Sequence, residues 1–246
     1  MWAQLKPLPV VAPWNKGQRT YSWPQRAADY AALEKRPLLI TAELVTPIIH
    51  AEQSITHLDS VLSSAAITDH PHPSSYDKAA VVPLPLDLLW VSPGGQPLWA
   101  CTPLRPADAV LDAREYWHKR YPSQRAELGD KLSANTSAGR WREYRVPVFS
   151  QHTHRLHALA IGHAIEIERL LGYITHLGKK GAMGYGRVGR WQVTPVDNTL
   201  DDILAQRPVP TSCPLSAALS GPVASQRGWS PPYWYAPYWA DCRVPA

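Results

Sequence analysis

The sequence predicts an α+β fold. In some segments of the 246-residue chain apolar residues alternate with polar ones, as in strands. In other segments they recur at i, i+3, i+4 and i+7, as in helices. Hydrophobic residues make up 45% of the composition, which is enough to build a core. The 25 prolines exclude a protein that is largely helical. Strands and helices are therefore expected to alternate around one core.

The first half of the predicted core contains a strand, a helix and a hairpin. Residues 37–46 are β-branched and apolar and end at Pro47, which predicts a buried first strand. Ser54 is positioned to cap a helix with a single apolar face. Two further apolar runs, 80–91 and 96–102, flank a Ser-Pro-Gly-Gly sequence that is typical of a hairpin turn.

A basic insertion, residues 105–145, follows the hairpin. Residues 107–128 are predicted to form a helix interrupted by Pro122, and residues 129–139 a loop of small residues. Residues 140–146 alternate as in a strand. Because many of the chain's Lys and Arg residues lie in this segment, one basic face is expected.

The second half of the predicted core surrounds a glycine-rich loop. Residues 154–161 are a strand candidate, and a helix is predicted over 163–177, where apolar residues recur at i, i+3, i+4 and i+7. Gly178 is expected to end that helix, and residues 190–194 to form the last strand. The resulting order is strand, helix, two strands, insertion, strand, helix, glycine loop and strand. It is close to the split βαβ, ferredoxin-like pattern.

Three regions are expected along the chain. Residues 1–36 form an N-terminal extension that ends in a short helix at 25–34. Residues 37–196 form the ferredoxin-like domain, and residues 197–246 an irregular Pro/Trp-rich C-terminal extension. The aromatic residues near the C-terminus are too many to remain in water. They are expected either to pack on the domain or to dock another protein, and the sequence favours neither.

The net charge and the cysteine content favour some classes of protein and exclude others. The net charge of +5 and the pI near 9.1 favour a polyanionic partner. The three cysteines are widely spaced and form no C-x-x-C pair, so a disulfide scaffold or zinc knuckle is not indicated and a reducing cytoplasm is expected. The N-terminus has no signal-peptide core and no segment approaches a membrane span in length, so we expect a soluble, non-exported protein.

No metal or cofactor is predicted. On a strand, His152 and His154 would point to one side, as a metal site requires, but His157 would point to the other. No cysteine or acidic partner is nearby in the sequence, so a zinc site is not indicated. Nucleophile signatures such as G-x-S-x-G are also absent from the sequence.

The most informative segment is the glycine-rich loop, residues 178–189. In a P-loop or a Rossmann turn the glycines follow a strand and open a helix, so that phosphate meets the helix N-terminus. Here the glycines follow a predicted helix, which makes that mechanism unavailable. The glycines leave the backbone of the loop accessible, and the loop carries three cations, Lys179, Lys180 and Arg187. These can contact an RNA backbone while an unpaired base stacks on the ring of Tyr185. The alternative is a long connection with glycines for turning and lysines for solubility.

The predicted RNA-binding residues lie in the glycine loop and in the basic insertion. Those in the loop are Lys179, Lys180, Gly181, Met183, Gly184, Tyr185, Gly186 and Arg187. Candidate phosphate partners in the insertion are Lys119, Arg120, Arg125, Lys131, Arg140, Arg142 and Arg145. A solvated charged face is the alternative for the insertion. Asn135 and Thr136 are expected to contact base edges or only to turn the chain.

These motifs together resemble those of a known superfamily. A ferredoxin-like unit with G-x-x-G-x-G between its last helix and a Trp-bearing last strand resembles the RAMP superfamily of CRISPR-associated proteins. Residues 55–62 look like the His-Leu-Asp helix of the type IV (Csf) subunit that caps the 5′ handle of the guide RNA. Residues 133–139 and 144–147 look like that subunit's central loop. The resemblance covers about residues 37–196.

The resemblance implies a non-catalytic CRISPR RNA-binding subunit with an RRM/RAMP-type fold. Such a subunit grips the 5′ handle, here with His57 among its contacts, and abuts the backbone and large subunits of an effector complex. It meets target DNA only indirectly. One alternative is a metal-independent endoribonuclease, for which His50, His57, Tyr185 and Lys180 are candidate acids and bases. The other is a protein-interaction module that works through its Trp-rich tail.

Overall fold

A computed structural model describes residues 23–49, 56–70, 81–120, 143–233 and 235–245. The helices in these ranges are α1 (Trp23–Ala31), α2 (Leu58–Asp69), α3 (Ala164–Leu171) and α4 (Leu200–Leu204). The strands are β1 (Arg36–Leu44), β2 (Leu88–Val91), β3 (Pro97–Trp99), β4 (Arg105–Pro106), β5 (Leu111–Lys119), β6 (Tyr144–His152), β7 (Arg155–Gly162), β8 (Val188–Pro195), β9 (Val209–Pro210), β10 (Val223–Gly228) and β11 (Trp239–Arg243). The predicted α+β fold class is confirmed.

The main sheet has the order β4, β7, β1, β8, and each neighbouring pair is antiparallel. Strand β1 lies inside this sheet, with Ile40 opposite Ala158 of β7 and Val193 of β8. Leu38, Ile40 and Ala42 alternate along β1 and are each 0% exposed, so they form one wall of the core. Helices α2 and α3 contribute the facing apolar residues of the same cluster.

The predicted helix over residues 107–128 is wrong where the chain is described. Residues 111–119 form β5, which pairs with β6 from Leu111 opposite His152 to Lys119 opposite Tyr144. The local sequence contains good helix formers, but pairing with a distant strand overrides that preference. Most of the described part of the insertion therefore belongs to a pair of long antiparallel strands, called here the β5–β6 hairpin. Residues 121–142 lie outside the described ranges.

Helix α3 is shorter than its apolar pattern predicts. It begins after His163, whose Nδ1 accepts a hydrogen bond from Glu166 N at 3.3 Å, and ends at Leu171. Leu177 lies beyond the helix but is still buried in the main core cluster, and its N–H donates to Gly186 O at 2.8 Å across the glycine loop. Gly178 is therefore not the helix stop. It is a loop residue with φ of +74°.

The C-terminal region is not irregular as the sequence predicts. Strands β10, β11 and β9 form a three-stranded antiparallel sheet. Its side chains and those of neighbouring segments build a second hydrophobic cluster, which includes Leu98, Leu204, Val209, Cys213, Trp229 and Cys242. Trp229 is buried and lies 5.6 Å from Trp90, centroid to centroid. This part of the aromatic tail therefore packs on the protein itself.

A buried arginine joins this C-terminal cluster to the main domain. Arg207 is 1% exposed and donates hydrogen bonds to the carbonyls of Trp99, Cys101 and Trp229. Its Nη2 lies 3.6 Å from Oδ2 of Asp59, a fully buried residue in the first turn of α2. One side chain thus satisfies polar groups from three separate segments of the chain.

Helix α1 begins two residues before and ends three residues before its predicted bounds, 25–34, and packs against the layer formed by α2 and α3. Arg26 Nη2 lies 2.5 Å from Asp69 Oδ2, at the end of α2. Asp69 also accepts bonds from Arg169 at 2.9 and 3.0 Å and from the Tyr173 hydroxyl at 2.7 Å. These hydrogen bonds hold the pKa of Asp69 below its usual range although burial opposes the shift. The ionic cluster connects α1, α2 and α3.

Candidate nucleic-acid interface

Hydrogen bonds attach the glycine loop to the segment that directly follows β1, beginning with Val45 N, which donates to Arg187 O at 2.8 Å. Thr46 Oγ1 donates to Gly184 O at 2.7 Å and accepts from Arg187 N at 2.8 Å. Gly186 N donates to Pro47 O at 2.7 Å, and Lys179 N donates to Ile49 O at 2.7 Å. Because the loop is fixed to a strand of the main sheet, its side chains have a defined position relative to the core.

The glycines of the loop have two different roles. A Cβ on Gly186 would lie 1.9 Å from Leu177 O, and its φ is +64°, so the protein's own packing requires glycine there. A Cβ on Gly184 would have nothing within 4 Å, although its φ is +89°. Only Gly184 therefore presents bare backbone to open space. The sequence predicts that Gly181, Gly184 and Gly186 allow close approach of RNA, but at Gly186 the contact with Leu177 O already requires glycine.

We predict that Gly186→Ala destabilises the protein far more than Gly184→Ala does. The first change adds a steric clash to an unfavourable φ and should cost about 3–5 kcal/mol. The second should cost only the φ penalty, about 1–2 kcal/mol. Urea unfolding of both variants at neutral pH gives the comparison. Equal losses would contradict the proposed distinction.

Three exposed cations project from this loop. They are Lys179, Lys180 and Arg187. Among the described residues, no carboxylate oxygen lies within 4.0 Å of their charged nitrogens. Lys180 has a left-handed backbone, with φ of 66°, and its Nζ lies 5.0 Å from the ring centre of Trp117. Unneutralised, partly stacked cations of this kind are suited to phosphate.

The β5–β6 hairpin supplies the aromatic part of the site. The Tyr185 hydroxyl donates to Glu115 Oε2 at 2.6 Å, and its ring lies 5.9 Å from that of Trp117. This hydrogen bond to Glu115 raises the pKa of Tyr185, so the hydroxyl remains protonated at neutral pH. The sequence did not indicate Trp117 and Glu115 as site residues, because a helix over residues 107–128 predicts no contact between them and the glycine loop.

The remaining predicted residues are only partly described. Met183, Lys119, Arg120 and Arg145 are exposed, the last three on or next to the β5–β6 hairpin. Gly181 lies beside His176, since a Cβ on that glycine would be 3.0 Å from His176 Cβ. The residues that lie outside the described ranges are Arg125, Lys131, Asn135, Thr136, Arg140 and Arg142.

His57 lies in a different environment. Its ring stacks on Tyr233 with centroids 3.6 Å apart, and the Tyr233 hydroxyl donates to both Asp59 oxygens at 2.8 and 2.9 Å. Burial, with a smaller contribution from Arg207, lowers the pKa of His57 to about 3, so the ring is neutral at physiological pH. These contacts assign His57 and Asp59 to the attachment of the C-terminal region. The interface proposed below therefore excludes His57.

An exposed histidine that the sequence analysis did not single out lies beside the loop. His176 is placed next to Gly181, its backbone is bridged to that of Arg187, and its Nδ1 lies 3.0 Å from Thr175 Oγ1. The sequence pattern assigned it to the long helix, which hid its proximity to the lysines. Of the other candidate bases, His50 lies outside the described ranges.

The described part of the chain shows no sign of a metal site, a disulfide or a membrane span. Within the described ranges, no three His, Cys, Asp or Glu side chains are arranged to hold a metal ion. The three cysteines are free and buried. No helix in that part of the chain is both long and apolar enough to cross a membrane.

Sheet, loop and hairpin together define an α+β domain with an exposed basic and aromatic surface. A family model described as CRISPR type IV associated protein Csf3 matches residues 112–243, more than half of the chain. The chain therefore belongs to the Csf3 family of CRISPR type IV associated proteins. Membership implies a place in a multi-subunit type IV CRISPR complex. No curated protein matches the chain. The match includes the C-terminal sheet, which the resemblance in the sequence did not cover.

Proposed function

We propose that this protein is a non-catalytic subunit of a type IV CRISPR effector complex that binds the guide RNA. In this proposal it holds the 5′ handle of the CRISPR RNA and contacts the adjacent backbone subunit, and it meets the large subunit and target DNA only through the complex. The observation that carries the proposal is the cluster of three exposed cations, Lys179, Lys180 and Arg187, beside the Tyr185 and Trp117 rings. We place the complex in the cytoplasm.

The sheet order supports a ferredoxin-like, RAMP-type interpretation of the fold. Helix α2 leads from β1 towards β4, and α3 leads from β7 to β8, so each helix connects two strands that are not neighbours. Two such split βαβ units interleave in the ferredoxin-like pattern. The glycine loop then lies between the second helix and the last strand of that unit, as the resemblance predicts.

The chemistry of the site favours a single strand over a duplex. Unpaired bases can stack on exposed rings while lysine and arginine contact the phosphates, and no groove has to be entered. Tyr185 is well suited to stacking because its hydrogen bond to Glu115 fixes the ring.

The metal-independent endoribonuclease remains a second candidate because of His176. An exposed imidazole beside a loop with two lysines has the components of general acid–base cleavage at a 2′-hydroxyl. Two of the acids and bases named from the sequence fit this chemistry less well, since His57 is stacked against Tyr233 and Tyr185 has a raised pKa. We therefore propose binding without cleavage.

The test is incubation of the purified protein with 5′-labelled CRISPR repeat RNA in EDTA over a salt series. We expect intact RNA on denaturing gels and retention on native gels that weakens steeply as salt rises, because phosphate contacts release counterions. A discrete cleavage product that disappears in His176→Ala would replace the proposal by the endoribonuclease. Failure to retain RNA at low salt would reject both functions.

A further inference from the structure

The β5–β6 hairpin has a second face, which does not contact the glycine loop. Residues directly opposite each other in an antiparallel pair lie on the same face. Glu115 and Trp117, which reach the loop, therefore share one face. The intervening residues of β5 and their partners share the other face, called here the outer face. Its central residues are Arg114 opposite Phe149, Tyr116 opposite Pro147, and His118 opposite Arg145.

Cations and aromatic rings alternate along this outer face. The Arg114 guanidinium lies 5.4 Å from the ring centre of Phe149 and 4.9 Å from that of Tyr116. The Arg145 guanidinium lies 3.9 Å from the same Tyr116 ring. The order is thus Phe149, Arg114, Tyr116, Arg145. An arginine stacked in this way keeps its in-plane N–H donors available for phosphate.

The outer face is exposed and its charge is not neutralised. Phe149, the single phenylalanine of the chain, is 53% exposed, and Tyr116 is 37% exposed. In the described ranges no carboxylate oxygen lies within 4.0 Å of a charged nitrogen of Arg114 or Arg145. The acidic residue on this face is Asp112, and its Oδ1 accepts a hydrogen bond from Gln151 Nε2 at 3.1 Å. A protein partner would have to bury two unpaired cations, whereas a nucleic acid supplies both phosphates and planar bases.

We propose that the outer face binds a second single strand of nucleic acid, separate from the strand held at the glycine loop. One base stacks on the open face of Phe149, and a second takes the place of the Arg145 guanidinium on Tyr116 as Arg145 turns to a phosphate; Arg114 contacts the phosphate between the two bases. The hairpin backbone lies between the two faces, so one nucleotide cannot contact both. The hairpin thereby keeps two strands apart. This inference goes beyond guide RNA binding and does not require that the loop binds RNA.

The decisive variant carries Tyr116→Leu and Phe149→Leu. Leucine keeps an apolar side chain of similar reach but removes the plane on which a base stacks. Tyr144→Leu is the matched control, because Tyr144 is an exposed tyrosine of the same hairpin, 46% accessible, on the opposite face. The probes are fluorescein-labelled oligo-dT and oligo-U of fifteen nucleotides, followed by anisotropy. Each is added to the full-length protein alone and to protein saturated with unlabelled repeat RNA.

In protein saturated with repeat RNA, where the glycine loop is occupied, we expect the double leucine variant to bind the labelled oligonucleotide at least about 30-fold more weakly than the wild type, since two stacking contacts are lost. The Tyr144→Leu control should bind like the wild type. Saturating repeat RNA should leave the oligonucleotide affinity nearly unchanged. The comparison of oligo-dT with oligo-U identifies which type of strand is preferred.

Three results would overturn the inference. If the double leucine variant keeps its oligonucleotide affinity but unfolds at a lower temperature, the alternating cations and rings of the outer face only stabilise the hairpin. Competition by repeat RNA would mean that both faces hold one strand. If the wild type has no oligonucleotide affinity, and a protein subunit binds the wild type and the double leucine variant equally well, the outer face is a protein contact. Loss of repeat RNA binding in Lys179→Ala, Lys180→Ala is measured separately, so the guide RNA proposal can fail without this one.

Discussion

Protein carrying Lys179→Ala and Lys180→Ala is expected to bind repeat RNA more weakly and with a flatter dependence on salt. Each phosphate contact to a single strand contributes about 0.7 to the slope of log K against log salt, so loss of two contacts should reduce it by about 1.4. That change corresponds to about 25-fold in affinity for each tenfold change in salt concentration. Filter binding of labelled repeat RNA between 0.05 and 0.5 M salt, roughly one decade, measures both quantities.

A charge-matched control separates local contacts from net charge. Arg36→Ala with Arg227→Ala also removes two positive charges from exposed positions. Arg36 lies at the start of β1, whereas the glycine loop is attached beyond its end, and Arg227 lies in the C-terminal sheet. The control should keep the wild-type slope. An unchanged slope in the lysine variant, or the same loss in the control, would remove the loop from the RNA-binding surface.

The second large effect is expected from Arg207→Met. This change leaves the buried Asp59 carboxylate without its cationic neighbour and removes donors from the carbonyls of Trp99, Cys101 and Trp229. Loss of one partner of a buried ion pair costs about 3–5 kcal/mol, because the remaining charge stays out of water. Urea unfolding should record this loss, and the C-terminal sheet should become sensitive to protease.

Two further variants test whether the unpaired Asp59 carboxylate causes the loss of stability in Arg207→Met. Adding Asp59→Asn to Arg207→Met should recover part of the lost stability, since no unpaired charge then remains. Arg227→Met replaces an exposed arginine of the same region and should change stability by no more than about 0.5 kcal/mol. If Asp59→Asn recovers nothing, the unsatisfied carbonyls and not the carboxylate account for the loss.

The same network gives a different meaning to the His-Leu-Asp sequence of α2. Sequence reasoning connected His57 to RNA because of its place in that motif. In the folded chain the His57 ring stacks on Tyr233, and Asp59 accepts hydrogen bonds from the Tyr233 hydroxyl. Tyr233 is far away in the sequence, and nothing in the local pattern of α2 indicates it. The motif therefore attaches the C-terminal region to the main domain.

The sequence by itself determined the elements whose burial is periodic and local. Strands β1 and β7 are found close to their predicted positions, because alternation reports directly which side chains face the core. Helix α2 is found, but its N-cap is His57 and not the predicted Ser54. The glycine loop was located for a similar reason, since glycine marks backbone that other residues cannot adopt. The structure adds the reason at Gly186, where a Cβ would meet Leu177 O.

Only the tertiary structure decided the features that depend on distant partners. Strand β5 has the local preferences of a helix and becomes a strand because β6 pairs with it. The meeting of Trp117 with Tyr185, the burial of Leu177 without a helix, and the contacts of Arg207 all join segments far apart in the chain. The spacing of apolar residues describes one segment at a time, so it does not indicate which distant residues contact each other. The proposed binding surfaces consist of these pairs, so they became visible only once the chain was folded.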